Sequence, residues 1–435
     1  MNGKDLKKPI RLVSAVCLDG TLVETIQEGS DKPTALVVAR DGSFDIGADW
    51  TSDGIRHVPV SAAHNLLKHR AVRFPGVPQE YGSVGELFAE IEQYADRYLA
   101  LSPAFLKIAT SYTLLSWVYD AFNELPYLRF RGDYGSGKTR ALIVFGSIAY
   151  KGFFASGAST VSPIFHTLDT FRGTLIFDEA DFRFTDEKAE LVKILNNGNL
   201  KGFSVLRSQV TASKDFEPRA FSVYGPKIIG MRGSYEDRAL ESRFLTEEMS
   251  GQTLRADIPI SLPEDQEAEA HALRSKLLMY RLRERSKVCI DPSLVDPALE
   301  PRMNQILLPL LSVAPTEDAR TAIRGYAAHV QEGVVSDRAS STEGQLLAII
   351  AVAVGSADRA SLPLQEIVSA FVERFGGEYE RTITNRFLGG VLRNRLGLPL
   401  YKTGGVVAVS LKDQARLAAL FARYGIGDSE GKNSA

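Results

Sequence analysis

The chain of 435 residues is long enough for two or three domains, each with its own hydrophobic core. Hydrophobic residues make up 44% of the chain and charged residues 24%, a composition that excludes general disorder. The formal net charge of -2 excludes a protein that binds nucleic acid through bulk positive charge alone, although local basic stripes remain allowed.

Cysteine spacing and hydropathy exclude further classes of protein. Cys17 and Cys289 are the only cysteines, and the six histidines show no zinc-type spacing with them, so we expect neither a disulfide framework nor a metal cage. The longest apolar run, 346–354, is far shorter than the roughly 20 residues that a bilayer requires. No apolar segment follows the N-terminal lysines, so we expect a cytoplasmic protein without a membrane partner.

The first part of the chain changes from strand periodicity to helix periodicity. Residues 10–60 alternate short apolar runs with Asp-Gly turn signals, which predicts a β-rich module over 1–80. Its role stays open between an OB-like nucleic-acid binder and an oligomerisation cap. Ser83 and Glu86 have the spacing of a capping box at the start of an amphipathic helix, and a second helix is expected over 103–122.

The segment GDYGSGKT has the G-x-x-x-x-G-K-T pattern of a phosphate-binding loop, between an apolar strand and a helix. Backbone N–H groups of such a loop surround the β-phosphate, and the following helix N-terminus adds partial positive charge. Lys138 would reach the β- and γ-phosphates, and the Thr139 hydroxyl would be a ligand of Mg²⁺. The residues expected to bind ATP here are Gly132, Asp133, Tyr134, Gly135, Ser136, Gly137, Lys138, Thr139 and Arg140.

Two acids follow a second apolar strand, in the segment TLIFDEAD. Asp178 stands at the carboxyl end of that strand, the same edge of a parallel sheet at which the phosphate loop would lie, so we expect it to hold Mg²⁺ through water. Glu179 would polarise the attacking water. With Lys138 as a further catalytic residue, the two motifs predict an ATPase that uses ATP and Mg²⁺.

The letters DEAD raise the question of DEAD-box RNA helicases. Neither their S-A-T triplet nor an arginine-rich HRxGRxxR-like segment follows, so we interpret the four letters as a coincidence. The segments that do follow, KIIGMRG, ALESRF and PRMNQILLPLLSVA, together with the phosphate loop, resemble AAA+ helicases of the MCM type and related ATPases of phage and mobile-element replication. The resemblance covers roughly 84–315.

This resemblance implies an α/β fold. Its AAA+ core, with a five-stranded parallel sheet, would occupy 81–262, and a helical lid would occupy 263–335. We expect the five strands at about 127–130, 152–156, 174–178, 226–230 and 244–248.

The resemblance also implies arginine and serine contacts to the nucleotide. Arg232 and Ser234 match the position after the fourth strand at which the family senses the γ-phosphate, although the usual Asn is missing. Arg243, in the SRF triplet, matches the arginine that enters a neighbouring subunit's site, with Arg238 as a competing candidate and a surface ion pair as the alternative. Arg302 matches the second sensor arginine, or is a solvated helix-terminal residue.

Residues 201–225 contain two short apolar runs around a polar turn, which predicts a hairpin. In the resembling helicases, a hairpin at this point projects into a central channel and moves along DNA. Lys201, Arg207 and Lys214 are therefore candidates for contacts with DNA phosphates. The alternative is an ordinary solvated hairpin.

The tail shows three helical segments followed by two short strands, the order of a winged helix over 340–426; the remaining 427–435 are expected to be disordered. Five basic residues and no acid occur between 381 and 402, where a winged helix meets DNA. A protein-docking module is the alternative. The candidate DNA contacts are Arg381, Thr384, Asn385, Arg386 and Lys402.

The residues themselves predict ATP hydrolysis, and the resemblance implies an ATP-dependent DNA helicase or translocase in DNA replication, as the replication protein of a mobile element. The resemblance implies a homo-oligomer, a hexameric ring, with DNA as its partner. Two alternatives stay open: a non-helicase AAA+ remodeller or helicase loader, and an ATP-switched DNA-binding regulator.

Overall fold

The computed structural model divides the chain into two compact units, 1–326 and 327–435, and each unit has its own hydrophobic core. Within the described residues, no helix combines the length and the apolar character that a membrane crossing needs. The structure describes residues 9–29, 31–178, 185–210, 216–249, 255–355 and 359–427.

Seven short strands begin the first unit: β1 (Ile10–Leu12), β2 (Ser14–Val16), β3 (Leu22–Gln27), β4 (Thr34–Arg40), β5 (Ser43–Gly47), β6 (Trp50–Ser52) and β7 (Ile55–Pro59). Strands β2 to β5 form one antiparallel sheet, and β7 lies between β1 and β6 in another. Asp-Gly turns at 41–42 and 53–54 close two hairpins with positive φ at every turn residue, the geometry that suits twisted strands. The strands expected over 10–60 are therefore present.

Three helices follow: α1 (Asn65–Lys68), α2 (Val84–Tyr98) and α3 (Pro103–Val118). The predicted capping box begins α2. Ser83 Oγ accepts a hydrogen bond from the Glu86 N–H at 3.2 Å, and Glu86 Oε2 accepts one from the Ser83 N–H at 2.7 Å. These two bonds satisfy amide groups that a helix start leaves without partners. The second predicted helix ends at Val118 and continues as a 3₁₀ turn over Tyr119–Ala121.

The next segment alternates strands and helices. Its elements are β8 (Tyr127–Arg131), α4 (Lys138–Ile148), β9 (Phe153–Ser156), α5 (Val161–Phe171), β10 (Leu175–Asp178), α6 (Thr185–Asn197), β11 (Ser204–Val210), β12 (Phe216–Ser222), β13 (Lys227–Met231), α7 (Arg238–Glu241) and β14 (Phe244–Glu248). The five strands expected from the sequence are β8, β9, β10, β13 and β14.

These five strands form one all-parallel sheet in the order β14-β8-β13-β10-β9. Strand residues such as Phe177 and Ile229 are fully buried, as expected for parallel strands covered on both faces. Because the strands are parallel, the ends of β8, β10 and β13 meet at one edge, which we call the carboxyl edge; the strand starts define the amino edge. The carboxyl edge is where open α/β sheets bind ligands.

Helices α8 (Asp265–Glu284), α9 (Pro301–Val313) and α10 (Glu317–Ser340) follow the sheet. Helix α8 is joined to the N-terminal strands by a buried ionic cluster. The Glu24 carboxylate of β3 lies 2.7 Å from Lys151 Nζ and 2.7 Å from Arg281 Nε, and all three side chains are at most 2% exposed. The N-terminal strands therefore share a core with the parallel-sheet region. The predicted limits of a module at 1–80 stay a prediction.

The second unit contains α11 (Thr342–Gly355), β15 (Ser361–Pro363), α12 (Leu364–Phe375), α13 (Asn385–Asn394), β16 (Leu400–Thr403), β17 (Val406–Ser410) and α14 (Gln414–Arg423). Strand β17 pairs antiparallel with β15 and β16. Gly404 and Gly405 form the two-residue turn between β16 and β17, with φ of 55° and 83°. The expected succession of helices and a hairpin is present, whereas β15 and α14 were not predicted.

Candidate nucleotide-binding site

The predicted phosphate loop connects β8 to α4 at the carboxyl edge. Gly135 and Gly137 have φ of 72° and 89°, a backbone conformation in which a side chain would be strained. Gly137 directly precedes α4, so the loop leads into the positive end of an 11-residue helix. This local geometry is the one that a phosphate group requires.

The Lys138 side chain folds back onto the phosphate loop. Its side chain is buried, and its ammonium group donates hydrogen bonds to the Asp133 carbonyl at 2.5 Å and to Ser136 Oγ at 3.3 Å. Burial lowers the pKa of Lys138, and the nearby positive charge of Arg232 lowers it further. The ammonium group is therefore held at the loop, in a position where an anion would stabilise it.

Thr139 and Asp178 are in direct contact. The Thr139 hydroxyl, in the first turn of α4, donates a hydrogen bond of 2.7 Å to Asp178 Oδ2 at the end of β10. The strand that precedes the loop, β8, is separated from β10 in the sheet by β13. A Cβ atom at Gly230 of β13 would lie 2.9 Å from Leu142 Cδ1 of α4, closer than a real Cβ atom comes, so glycine lets α4 pack against the sheet beside the site. A hydroxyl and a carboxylate oxygen side by side suit Mg²⁺, which takes few protein oxygens and completes its shell with water and phosphate. Glu179, the predicted water-polarising acid, lies outside the described residues.

The two predicted sensor residues differ in their surroundings. Arg232 directly follows β13, and its guanidinium carbon lies 3.3 Å from the centre of the Tyr134 ring in the phosphate loop. Ser234 Oγ instead accepts a hydrogen bond from Arg131, which also forms an ion pair with Glu248 of β14. Arg232 is therefore the sensor candidate that the structure brings to the loop.

Arg140 belongs to the first turn of α4 but faces another partner. Its guanidinium donates hydrogen bonds to the carbonyl groups of Pro259, at 2.6 Å, and Ile260. The side chain therefore fastens α4 to the segment that precedes α8. It supports the position of the loop through these bonds to main-chain carbonyls.

Arg243 lies at the amino edge, opposite the phosphate loop of the same chain. Its carbonyl accepts a hydrogen bond from the Tyr127 N–H at the start of β8. Its Nη1 donates to the Asn196 carbonyl at 3.0 Å and to Asn196 Oδ1 at 2.8 Å, at the end of α6. Burial lowers the pKa of Arg243. A five-residue strand spans roughly 17 Å, so this guanidinium does not reach its own loop.

Arg302 lies on the same side of the unit as Arg243. Its charge acts on Arg243 and on Glu124, which precedes β8. Gln305, on the next turn of α9, donates a 2.6 Å hydrogen bond to Glu124 Oε1 and accepts one from Arg302 at 3.3 Å. The structure thus does not bring Arg302 to the nucleotide site of the same chain. The reason is that the packing of α9 against the chain before β8 decides which edge this arginine faces.

The predicted hairpin is present as β11 and β12, which pair antiparallel from Ser204↔Ser222 to Val210↔Phe216. Arg207 forms an ion pair with Glu190 of α6, and Lys201 Nζ donates to the Asp120 carbonyl at 3.3 Å. Both predicted DNA contacts on the arms are thus engaged inside the subunit. Lys214 lies outside the described residues.

Sequence reasoning missed an apolar face on this hairpin. Leu206 is 68% exposed and Phe216 is 79% exposed, whereas Val205 and Phe221 are buried on the other face. The adjacent apolar residues Val205 and Leu206 were the signal that could have revealed the two faces, because successive strand side chains point to opposite sides.

In the second unit, all five predicted DNA contacts are exposed. Thr384 caps α13, since its hydroxyl accepts a hydrogen bond from the Phe387 N–H at 3.2 Å. The other four lie in α13, in β16 and in the segment before α13; they are Arg381, Asn385, Arg386 and Lys402.

No protein-family model and no curated protein matches the chain. Its fold is similar to that of the NrS-1 C-terminal region, with 12% identity, a TM-score of 0.38, and coverage of 89% of this chain and 96% of that one. The active helicase Cch of SCCmec type IV has 12% identity and a TM-score of 0.39, and the match covers 88% of this chain and 79% of that one. A full-length MCM homolog from Methanopyrus kandleri has 11% identity and a TM-score of 0.36, and the match covers 71% of this chain and 73% of that one. The matched structures thus include an MCM homolog and a helicase.

Proposed function

We propose that this chain is an AAA+ ATPase that uses ATP hydrolysis to translocate on DNA or unwind it during replication. The observation that carries the proposal is the 2.7 Å hydrogen bond between Thr139 Oγ1 and Asp178 Oδ2. It joins the last residue of the phosphate-loop motif to the acid at the end of a separate strand, and thus brings the two predicted halves of the site together. The sheet order and the glycine conformations of the loop support the same site.

Each side chain of this site has a defined task in hydrolysis. Thr139 and Asp178 would hold Mg²⁺, and Lys138 would exchange the Asp133 carbonyl for phosphate oxygens. Bound Mg²⁺ neutralises charge that develops on the transferred phosphoryl group. Glu179, next to Asp178 in the sequence, would orient the attacking water.

The arginines at the amino edge support sites shared between subunits. Arg243 and Arg302 lie away from their own phosphate loop, so a nucleotide that they contact would belong to a neighbouring subunit. To reach that nucleotide, Arg243 must exchange Asn196 for phosphoryl oxygens. A guanidinium placed in this way offsets charge in the transition state and couples hydrolysis to assembly. A hexameric ring is the assembly that we propose.

The remaining elements take the roles that the resemblance assigns. Helices α8 and α9 form the helical lid, and the second unit is a winged helix that contacts DNA through α13 and the β16-β17 hairpin. The exposed Arg381, Arg386 and Lys402 would contact phosphates. Lys214, which lies between β11 and β12 in the sequence, stays the candidate contact, because Arg207 is held by Glu190.

ATP turnover measured with and without single-stranded and forked DNA tests this function. We expect turnover in the parent chain, stimulation by DNA, and its loss in Glu179→Gln. Lys214→Ala should keep basal turnover and lose unwinding. Absence of turnover in the parent under every condition would refute the proposal.

The same measurements identify the alternatives. A remodeller or helicase loader would hydrolyse ATP without stimulation by DNA. A regulator would protect one defined DNA sequence in a footprint and would be indifferent to Lys214→Ala, whereas a translocase protects no single sequence.

A further inference from the structure

Tyr134 and Arg232 form a stacked pair at the phosphate loop that neither sequence motif explains. The guanidinium carbon lies 3.3 Å from the ring centre, and Tyr134 is 81% exposed. We propose that Tyr134 is a positioning residue that holds the Arg232 guanidinium beside the phosphate loop, where it favours a bound nucleoside triphosphate over a diphosphate. The inference rests on the nucleotide site of the proposed function and adds its specificity.

Strand register places Arg232 between the two halves of the site. Gly230 of β13 pairs with Phe130 on one side and with Asp178 on the other. The Gly132 N–H donates a hydrogen bond of 3.2 Å to the carbonyl of Met231, the residue before Arg232. The backbone of Arg232 therefore leaves the sheet between the loop and the acid, where the terminal phosphate of a bound triphosphate would lie.

The charges at this point favour an additional anion. Two cations, Lys138 and Arg232, are both held at the phosphate loop. Among the described residues, neither cation has a carboxylate within ion-pair distance; Lys138 contacts a carbonyl and a hydroxyl, and Arg232 contacts a ring. A phosphate group between them would relieve their repulsion. A triphosphate carries one more such group than a diphosphate, so it gains more from Arg232.

The Tyr134 ring explains how Arg232 can stay there before nucleotide binds. An exposed arginine side chain samples many rotamers, and an aromatic face restricts them at little cost because the guanidinium is flat and weakly hydrated. Tyr134 lies at one of the four variable positions of G-x-x-x-x-G-K-T, which leaves its residue type free to serve this purpose.

Calorimetric titration of the full chain with Mg²⁺ and either AMP-PNP or ADP tests the inference. We expect Tyr134→Ala to weaken AMP-PNP binding by roughly two- to five-fold, the value of an exposed stack, with ADP binding nearly unchanged. Tyr134→Phe keeps the ring and should keep the parent's ratio of the two affinities. Arg232→Gln should lower that ratio further than Tyr134→Ala. Tyr401→Ala, at an exposed tyrosine of the second unit, is the matched control.

Three results would overturn the inference. Unchanged affinities for both nucleotides in Tyr134→Ala would show that the ring does not position Arg232. Equal weakening of both nucleotides would assign Tyr134 to the loop conformation alone, and a Tyr134→Phe defect as large as that of Tyr134→Ala would assign the effect to the hydroxyl. A parent chain that binds neither nucleotide would refute the proposed function as well, whereas normal parent turnover with any of these three results refutes only the role of Tyr134.

Discussion

Glu24→Gln should destabilise the first unit strongly, although Glu24 lies far from the nucleotide site. The Glu24 carboxylate contacts Lys151 Nζ and Arg281 Nε at 2.7 Å each, and accepts a 2.8 Å hydrogen bond from the Tyr150 hydroxyl. Glutamine keeps the shape of the side chain but removes its negative charge. Lys151 and Arg281, both nearly inaccessible to water, would then lose a counter-ion.

Removal of one partner from a buried ion pair costs about 3–5 kcal/mol of unfolding free energy. At about 2 °C per kcal/mol for a unit of this size, the unfolding midpoint should fall by roughly 6–10 °C. Tryptophan fluorescence measures this unit selectively, because Trp50 and Trp117, the two tryptophans of the chain, both belong to it. Trp117 also packs edge-on against Tyr150, with ring centres 5.2 Å apart.

Asp49→Asn, between β5 and β6, is the matched control in the N-terminal region. Asp49 pairs with Arg56 at 2.7 Å, but the two side chains are 39% and 56% exposed. An exposed pair contributes about 0–1 kcal/mol, so the midpoint should change by less than about 2 °C. If Glu24→Gln lowers the midpoint no more than Asp49→Asn does, the N-terminal strands do not share a core with the parallel-sheet region.

Two further predictions concern the shared site and pH. Arg243→Ala should lower ATP turnover by about 10³-fold. Addition of Lys138→Ala subunits should restore part of the turnover, because a mixed interface combines the intact loop of one subunit with the intact arginine of the other. No recovery would contradict a shared site. Burial alone would raise the pKa of Asp120, but Arg281 and Arg285 lower it to about 2. Asp120→Asn should therefore lower the free energy of unfolding by about 2–3 kcal/mol above pH ~4. The difference in unfolding midpoint from the parent should shrink as pH falls toward ~2, where Asp120 becomes protonated. A difference that does not change with pH would contradict this prediction.

The nucleotide site could be predicted because most of its residues lie in two short, contiguous segments of the sequence. The spacing of Gly132, Gly137 and Lys138 encodes a loop conformation, and the apolar strand before Asp178 places that acid at a sheet edge. Both signals depend on neighbours in the sequence. The contact between Thr139 and Asp178 then follows from the parallel sheet itself.

The positions of the arginines could not be predicted in the same way. Arg302 begins a helix whose orientation is decided by packing against the chain before β8, and no local pattern encodes that choice. Glu24 and Arg281 are 257 residues apart in the sequence, and Glu24 looks like an ordinary polar strand residue until α8 covers it. The stack of Arg232 on Tyr134 likewise joins two segments that are distant in the chain.

Mg²⁺-dependent nucleotide binding is the most direct test of the central claim that the phosphate loop and Asp178 form one site. Binding of AMP-PNP to the parent, Thr139→Ala and Asp178→Asn would be titrated with Mg²⁺ and with EDTA. We predict that Mg²⁺ strengthens binding to the parent and that either substitution removes most of this gain. If the parent binds no nucleotide, or if both variants keep the full effect of Mg²⁺, the two residues do not share a metal and the proposed site is wrong.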